Sequence, residues 1–347
     1  MARVTLIDVA RRAGVSVAST SRALNGLVAS PETVERVRAA AAELGYTADA
    51  TARSLKLGRT QQLAYAVADI GNPVYVEMMR AIERVVAASD YRLVISSTGD
   101  VEATIDLVQS LSRGFVDGMV LAPLRVTEEL EAAIAAAPVP VVVLGRMPDT
   151  VGADTVKADS ARGMELVVRH LVGEGRRRLA FINGPVDTTP GQFRHDGFRR
   201  AAAASPGVTA IEITVADFTI AEGYRGAMEL LENSAGEIDA VVAANDLIGI
   251  GVLHAADDLG LRVPEDIAIT GVDDTELAQV SRPSLTSVDL GAAERGRIAA
   301  ELLLARIAEP ERPTHMVTVA PVLRVRDSTV QRASRPIRLA ARGEALA

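Results

Sequence analysis

Between residues 61 and 330, short apolar runs alternate with amphipathic stretches, and this alternation constrains the fold more than any other feature of the chain. Runs such as LAYAVAD, FVDGMVLA and IDAVVAAND have the length of strands, and the stretches between them have helical spacing. Alternating strands and helices predict parallel sheets that helices cover on both faces. There are too many strands for one small sheet. The sequence therefore predicts an α/β body of two similar lobes with a cleft between them, although no clear repeat relates the two halves.

The composition limits where such a chain works and what chemistry it can use. At 347 residues the chain is too long for one ordinary core, and no apolar run is long enough to cross a bilayer. The N-terminal MARVTLIDVARRAG has no apolar segment of the kind that secretory signals contain, so we expect a cytoplasmic protein without a membrane partner. The absence of cysteine excludes disulfides and thiolate metal sites.

The charge is divided unevenly along the chain. Residues 1–60 hold nine basic and five acidic side chains, a net charge of +4, whereas the whole chain carries −8, which leaves −12 on residues 61–347. A basic segment on an acidic body predicts that only the N-terminal segment meets a polyanion. Sixty residues can also reach +4 by chance, so the charge alone does not decide this.

The first 47 residues, called the head here, predict three short helices. Thr5 and Asp8 have the spacing of a capping box, and Gly14 is a helix stop. Ser16 is a good N-cap for a second helix that runs to about Asn25. Two short helices joined by a glycine turn are typical of the helix-turn-helix motif. The apolar face of the first helix is formed by Leu6, Val9, Ala10 and Ala13.

The third helix of the head is marked by Ser30 as its cap, Pro31 at its first position and Gly45 at its end. In the second helix, Ala23 and Leu24 can face the other helices. The residues left pointing outward are Val17, Ala18, Ser21 and Arg22. Small residues followed by a long donor are what a helix needs to enter the major groove and bind a guanine edge. A three-helix bundle that binds no nucleic acid remains the alternative.

The segment ADATARSLKLGRT, residues 48–60, follows the head. Asp49 could cap one or two helical turns, which are too few to be stable alone. Cations such as Arg53 flank an apolar tip at Leu55. A linker helix that orders on DNA and wedges its leucine into a minor-groove step has this composition. A plain basic linker is the alternative.

The segments VTLIDVARRAGVSVASTSRALNG, SPETVERVRAAAAELGY and ARSLKLGRT closely resemble, in order and spacing, the head of the lactose-repressor (LacI-type) family of bacterial transcriptional regulators. The resemblance implies base-edge contacts by Val17, Ala18 and Arg22, with Leu55 as the intercalating wedge and Arg53 beside it. It implies that the head is positioned on phosphates by Thr5, Ser16, Ser21 and Asn25.

Two positions of the head depart from the family pattern. The family usually has Thr-Val where this chain has Ser19-Thr20, a mild cost if the Thr20 hydroxyl bonds back to its own helix. It usually has Pro-Asn where this chain has Ala48-Asp49, and an aspartate there repels a nearby phosphate.

The body resembles the periplasmic-binding-protein-like core of the same family through GNPVYVEM, VDGMVLAP, FRHDGFRRA, AANDLIGIGVLHAADDLGLRVPEDIAITGVDD and RPSLTSVDL. In open α/β sheets, ligands bind outside the carboxyl ends of the strands. The resemblance implies that Arg194 and Asp273 clamp polar groups of a ligand and that Asn245 adds an amide. It implies that Tyr75 and Phe218 stack on the ligand.

Each of these residues also has a purely structural interpretation. Asp273 and Asp274 can cap a turn, Asn245 can cap the following helix, and Phe218 can belong to the core. Some sugar-binding members have an aspartate in place of Gly145 and a glutamine in place of Leu290. The identity of the effector therefore does not transfer from the family.

The sequence argues against an enzyme. It contains neither a phosphate-binding G-x-x-x-x-G-K-[ST] loop nor a nucleophile elbow G-x-S-x-G, and GIGVLH lacks the third glycine of a dinucleotide fingerprint. The four histidines have no metal-ligand spacing, and His195 beside Arg194 is more simply a contact or surface residue. We expect no catalytic site, metal or cofactor. A secreted solute-binding protein is disfavoured because it would not need the basic head.

Together these features predict a homodimeric transcriptional regulator, a repressor, that binds double-stranded DNA at a near-palindromic operator and responds to a small-molecule effector, a sugar or sugar derivative. The chain divides into a helix-turn-helix domain (1–47), a hinge (48–60), an effector-binding and dimerisation body of two lobes (61–330) and a tail (331–347). The tail lacks the leucine heptads of a tetramerising coiled coil and is expected to be loose.

Overall fold

The computed structural model describes residues 4–24, 28–47, 58–234 and 236–330, and the chain separates into two compact units, residues 1–61 and 62–347. The first unit contains the predicted three helices. Thr5 and Asp8 form the predicted capping box, and Gly14 takes a left-handed φ of 66° that ends the first helix. The helices are α1 (Leu6–Ala13), α2 (Val17–Leu24) and α3 (Pro31–Glu43).

The core of the head is small and consists mainly of valine and alanine. Two contacts that the sequence did not suggest stabilise it: Arg36 of α3 donates to the carbonyl oxygen of Ala13 over 2.5 Å, and Arg12 pairs with Glu43 over 2.7 Å. Both contacts join α3 to the first helix and its turn. The buried residues of this core are Val9, Ala10, Ala13, Thr20, Ala23, Val37, Ala40 and Ala41.

Thr20 is fully buried, at the position where the family usually has a valine. Its hydroxyl donates to the carbonyl oxygen of Ser16 over 3.0 Å, so the predicted bond back to the helix is present. This bond satisfies the hydroxyl inside the core and keeps the cost of the substitution low.

The second unit consists of two α/β lobes, as predicted. The N-lobe contains the chain from residue 62 to residue 158 and one later helix and strand. Its elements are β1 (Gln62–Val67), α4 (Pro73–Ala87), β2 (Arg92–Ser97), α5 (Val101–Leu111), β3 (Gly118–Ala122), α6 (Glu128–Ala135), β4 (Val141–Leu144), a short 3-10 helix (Asp149–Val151), β5 (Asp154–Ala158), α12 (Ala292–Ala308) and β11 (Met316–Val319).

The C-lobe is built from the intervening chain and the final strand. Its core is a single cluster in which Phe181 and Phe198 stack with their ring centres 4.8 Å apart. Its elements are α7 (Ser160–Gly173), β6 (Arg178–Asn183), α8 (Thr189–Ala203), β7 (Thr209–Thr214), α9 (Ile220–Asn233), β8 (Ala240–Ala243), α10 (Asp246–Asp258), β9 (Ala268–Val272), α11 (Glu276–Val280), β10 (Thr286–Asp289) and β12 (Val322–Arg324).

The two sheets have the same strand order. The N-lobe sheet runs β2-β1-β3-β4-β5-β11 and is parallel throughout, and the C-lobe sheet runs β7-β6-β8-β9-β10-β12. The C-lobe sheet is parallel as predicted except at its edge, where β12 is antiparallel to β10. Strand β11 ends at the cleft edge of the N-lobe sheet. Two residues later the chain begins β12 at the cleft edge of the C-lobe sheet. A strand that enters there must run against its neighbours.

Among the described residues, no helix is long and apolar enough to cross a membrane.

Candidate functional site

The exposed face of α2 is the candidate DNA-reading surface. Val17, Ala18 and Arg22 are exposed on it, as predicted, whereas Ser21 is partly buried. The Ser16 hydroxyl accepts the amide of Ser19 over 3.1 Å and caps the start of the helix. The arrangement presents small side chains at the N-terminal end of the helix and a guanidinium one turn further along.

The other residues predicted to contact DNA divide into two groups. Thr5 is exposed at the start of α1, and its hydroxyl donates to Asp8 over 2.6 Å. Asn25, Arg53 and Leu55 lie outside the described residues, so their predicted contacts remain predictions.

The predicted effector-binding residues come together. Five side chains from five separate stretches of the sequence line one cavity between the two lobes, called the cleft here. One comes from α4, one from α8 and three from loops that follow strands, at the carboxyl edge where the fold predicts a ligand. They are Tyr75, Arg194, Phe218, Asn245 and Asp273.

Arg194 and Asp273 form a buried ion pair in the wall of the cleft. The Arg194 Nη2 donates to Asp273 Oδ1 over 3.1 Å, and its Nη1 donates to the carbonyl oxygen of Ala244 over 2.6 Å. Burial raises the pKa of the Asp273 carboxyl, and the positive charge of Arg194 opposes that shift. Asp273 also has a φ of 108°, a backbone strain of about 1–3 kcal/mol that typically occurs at functional sites.

Asn245 has both ends of its amide engaged. Its Oδ1 accepts the amide of Ile248 over 2.9 Å, so it caps α10, and its Nδ2 donates to the carbonyl oxygen of Phe218 over 3.1 Å. Asn245 therefore does cap the following helix, as its structural interpretation predicts. Any ligand contact by Asn245 must share these atoms. Phe218 is 8% exposed and lines the cleft.

Two neighbours of the predicted residues point elsewhere. The Asp274 Oδ1 accepts from Arg326 over 2.5 Å outside the cleft. His195 lies against Glu212, with its Nε2 3.0 Å from Oε2, and does not line the cleft. Of each adjacent pair, 194/195 and 273/274, only the first residue lines the cleft.

The sequence analysis missed the cationic side of the cleft. Arg146, Lys157 and Arg295 line it from the N-lobe, and Arg295 is only 9% exposed. Arg295 could have been found because it interrupts a helical stripe of small and apolar buried residues. The other buried residues of that stripe are Ala292, Gly296, Ala299, Ala300 and Leu303. The two departures noted above, Gly145 and Leu290, also line the cleft.

Gly296 explains how Arg295 reaches the cleft. A Cβ at Gly296 would lie 2.5 Å from the carbonyl oxygen of Met78 in α4, so only glycine allows the two helices to approach this closely. The close approach brings the first turn of α12, which carries Arg295, to the wall that α4 forms with Tyr75.

Asp246 is a second buried carboxyl that the sequence analysis missed. It accepts hydrogen bonds from the Thr275 amide over 2.6 Å, the Thr275 hydroxyl over 2.9 Å and the Ser287 hydroxyl over 2.5 Å. Burial, together with the nearby charge of Asp273, raises the pKa of Asp246 to about 7. Asp246 does not line the cleft and links the start of α10 to Thr275, after β9, and to Ser287 of β10.

The described residues contain no group of three or more His, Cys, Asp or Glu side chains that could hold a metal ion.

Comparison with known proteins agrees with this architecture. Residues 5–49 match the family model of bacterial regulatory proteins, lacI family, and residues 168–329 match a periplasmic binding protein-like domain. The ribose operon repressor of Escherichia coli (strain K12) is 33% identical over 330 residues, which are 93% of this chain and 99% of that protein. The chain belongs to the lacI family.

Other relatives support the same membership. The transcriptional repressor PurR of Vibrio vulnificus is 31% identical over 93% of this chain and 98% of its own length. The crystal structure of the lac repressor dimer bound to operator and the anti-inducer ONPF matches with a TM-score of 0.86 and 26% identity, over 95% of this chain and all of that one.

The prediction of a lacI-type fold, with a helix-turn-helix head and a two-lobed body, is therefore confirmed. So is the prediction of a DNA-binding transcriptional repressor whose effector is a sugar or another metabolite. These relatives are repressors rather than enzymes.

Proposed function

We propose that the protein represses transcription as a homodimer that binds a near-palindromic operator, with one head on each half-site. The exposed face of α2 supports this, because it offers two small side chains and one arginine to the major groove. The dimeric, operator-bound state of the lac repressor structure also supports it. A two-fold dimer requires an operator with matching symmetry.

Within each head, Val17, Ala18 and Arg22 read base edges. Phosphates are bound by Thr5, Ser16, Ser21 and Asn25, which set the position of α2 in the groove. Arg53 and Leu55 extend the contact into the minor groove. A repressor acts on the chromosome, so we place the protein in the bacterial cytoplasm, on the nucleoid while it is bound.

The cleft binds the effector, a sugar or sugar derivative, and catalyses no reaction. The observation that carries this proposal is the convergence of the five predicted residues on one interlobe cavity with the Arg194–Asp273 pair at its wall. A guanidinium and a carboxylate together can bind hydroxyl groups as donor and acceptor. Binding in the cleft shifts the lobes and changes operator affinity by a coupling of about 1–3 kcal/mol, the usual range for allostery.

The experiment that tests the proposal is the selection of bound duplexes from a random DNA pool with the full-length protein, followed by sequencing. We expect enrichment of one near-palindromic site, with the half-site spacing of a two-fold dimer. If only sites without internal symmetry are enriched, the dimeric reading is wrong. No enrichment at low salt, where phosphate contacts are strongest, with or without candidate sugars, contradicts the repressor function.

Arg22→Ala tests how the head reads sequence. A lost base-edge contact costs about 1–3 kcal/mol, so affinity for the selected operator should fall roughly 5- to 150-fold while affinity for random duplex changes little. Arg38→Ala, which removes the same charge from an exposed position of α3, is the matched control. Competition binding on both DNAs measures the ratio of the two affinities. Equal losses on both DNAs would mean that Arg22 does not contact a base edge.

A further inference from the structure

The side chains that line the cleft carry an unbalanced positive charge. Among the described residues that line it, four are cationic, Arg146, Lys157, Arg194 and Arg295, and one, Asp273, is a carboxylate, which gives a formal charge of +3. The segment that contains the cleft, residues 61–347, carries −12. A positive cavity inside an acidic body attracts anions and cannot be explained by the average composition.

Arg295 is the strongest part of this imbalance. Its Nε donates to the carbonyl oxygen of Leu290 over 3.1 Å, and its two terminal nitrogens have no hydrogen-bond partner among the residues that the structure describes. Within that same part of the chain, no carboxylate oxygen lies within 4.0 Å of its guanidinium, because Asp273 bonds to Arg194 instead. Arg295 is nevertheless more than nine-tenths buried.

A buried guanidinium without a carboxylate is costly. A buried charge is normally paired, and an unpaired one costs several kcal/mol of stability. Asp273 forms its ion pair with Arg194, and the charge of Arg295 is balanced only at longer range, by Asp273 and by the exposed Glu77, so it is only partly compensated by the described residues. A ligand that brings its own negative charge removes this cost and gains charge-assisted, bidentate hydrogen bonds to the planar guanidinium.

We propose that the effector carries an anionic group, a carboxylate or a phosphate monoester, that binds the terminal nitrogens of Arg295. This inference rests on the proposed function and narrows the effector from sugars in general to sugar acids or sugar phosphates. The hydroxyl groups of the ligand face Arg194 and Asp273 in the C-lobe, and its anionic group faces the N-lobe.

The other two cations of the N-lobe fit the same ligand. Lys157 Nζ lies 3.0 Å from the sulfur of Met316, and the Arg146 guanidinium lies 4.1 Å from the centre of the Phe193 ring. In the described part of the chain, neither of them has a carboxylate within 4.0 Å. Neither charge is therefore paired with a carboxylate of the described residues, and both add to the attraction of an anion.

The test uses the full-length protein and small anions as probes. Thermal unfolding is followed with inorganic phosphate, sodium acetate or neutral ribitol, at constant ionic strength with chloride. The variants are Arg295→Leu, which removes the charge but keeps an apolar side chain, and Arg295→Lys, which keeps the charge. Arg297→Leu is the matched control, because Arg297 is a partly exposed arginine on the same helix that pairs with Glu294 and Glu301.

We expect phosphate or acetate to raise the Tm of the wild type saturably, by about 2–4 °C at ten times its Kd. The Arg297→Leu protein should show the same rise, Arg295→Lys a smaller one and Arg295→Leu none. The anion that gives the larger rise identifies the phosphate or the carboxylate source. Without added anion, the Tm of Arg295→Leu should equal or exceed that of the wild type, because a buried, only partly compensated charge has been removed.

Three outcomes overturn the proposal. The first is the absence of a rise with either anion in the wild type. The second is an equal rise in Arg295→Leu. The third is a large loss of stability in Arg295→Leu without anion, which would mean that Arg295 already has a structural partner. The operator selection is read separately. If an operator is enriched but no anion has an effect, the repressor function stands and the anionic effector is wrong. If an anion has an effect but no operator is enriched, the anion site stands and the repressor function is wrong.

Discussion

The two halves of the cleft differ in how their functional side chains are held. In the C-lobe, Arg194 donates to Asp273 and to the carbonyl oxygen of Ala244, and Asn245 caps α10, so these side chains are held by the protein itself. In the N-lobe, Arg295 and Lys157 contact no carboxylate in the described part of the chain. Both lobes have the same strand order, so the difference comes from the side chains and not from the fold.

This difference assigns separate tasks to the two lobes. A prearranged clamp holds a ligand with little loss of entropy, whereas only partly compensated cations gain most when a negative charge arrives. Under the proposed function, a ligand that satisfies both halves would draw the lobes together, because each half contributes contacts that the other cannot. Differential contacts of this kind are what an effector needs to shift a conformational equilibrium.

The largest effect is expected at the Arg194–Asp273 pair, the clamp in the C-lobe. Asp273→Asn leaves Arg194 and Arg295 buried in a cleft whose described lining residues then include no carboxylate. We expect the free energy of unfolding to fall by about 3–5 kcal/mol, the usual cost of removing one partner of a buried pair. Urea unfolding of the full-length protein measures this.

Asp187→Asn is the control for the Asp273 variant. The Asp187 side chain is 64% exposed and its ion pair with Arg125 is partly solvated, so its loss should cost no more than about 1 kcal/mol. If the two variants are equally stable, the carboxylate of Asp273 is not what balances the buried arginines.

Asp246 predicts a pH dependence. Its raised pKa of about 7 means that the folded protein binds a proton there which the unfolded chain releases near pH 4. Stability due to this group is therefore present at low pH and is lost as the pH rises towards 7. Asp246→Asn removes the titration and keeps the shape, so its stability relative to the wild type should increase by about 2 kcal/mol from pH 5.5 to pH 8.

Chemical unfolding at both pH values measures this change. Asp257→Asn, an exposed aspartate on the same helix, should differ from the wild type by a constant amount at the two pH values. A constant difference for Asp246→Asn as well would mean that its three hydrogen bonds keep the carboxylate ionised throughout.

The sequence predicted those parts that local patterns encode. The caps at Thr5 and Ser30 and the glycine at position 14 are short-range signals, and all three lie where they were expected. The five residues of the cleft were predicted from a family resemblance and from the rule that ligands meet the carboxyl ends of strands. The roles of these residues in binding remain predictions.

The parts that were missed depend on contacts between distant segments. Arg295 reaches the cleft because the chain returns to the N-lobe after residue 291, and Asp246 is buried by Thr275 and Ser287, which lie 29 and 41 residues further along. The direction of β12 has the same cause, since it depends on which edge the chain enters. Periodicity marks Arg295 as an exception within an apolar helical stripe, but it carries no signal for which distant segments that stripe meets.

The smallest expected effect concerns the contact that joins the two halves at the rim of the cleft. Arg125 of the N-lobe pairs with Asp187 of the C-lobe over 2.7 Å, and beside this pair the amide of Thr189 donates to the carbonyl oxygen of Leu124 over 2.9 Å. Both bonds break when the lobes separate. Exchange of the Thr189 amide with solvent deuterium therefore reports lobe opening.

Arg125→Ala should speed this exchange roughly 1.5- to 5-fold, which corresponds to the 0.2–1 kcal/mol of an exposed ion pair. The gain should shrink at 1 M salt, where the Debye length falls to about 3 Å. Arg162→Ala breaks an exposed pair with Glu165 inside the C-lobe and should leave Thr189 unchanged. If Arg162→Ala speeds the exchange equally, Thr189 reports local fraying of α8, and the ion pair at the rim does not hold the two halves of the cleft together.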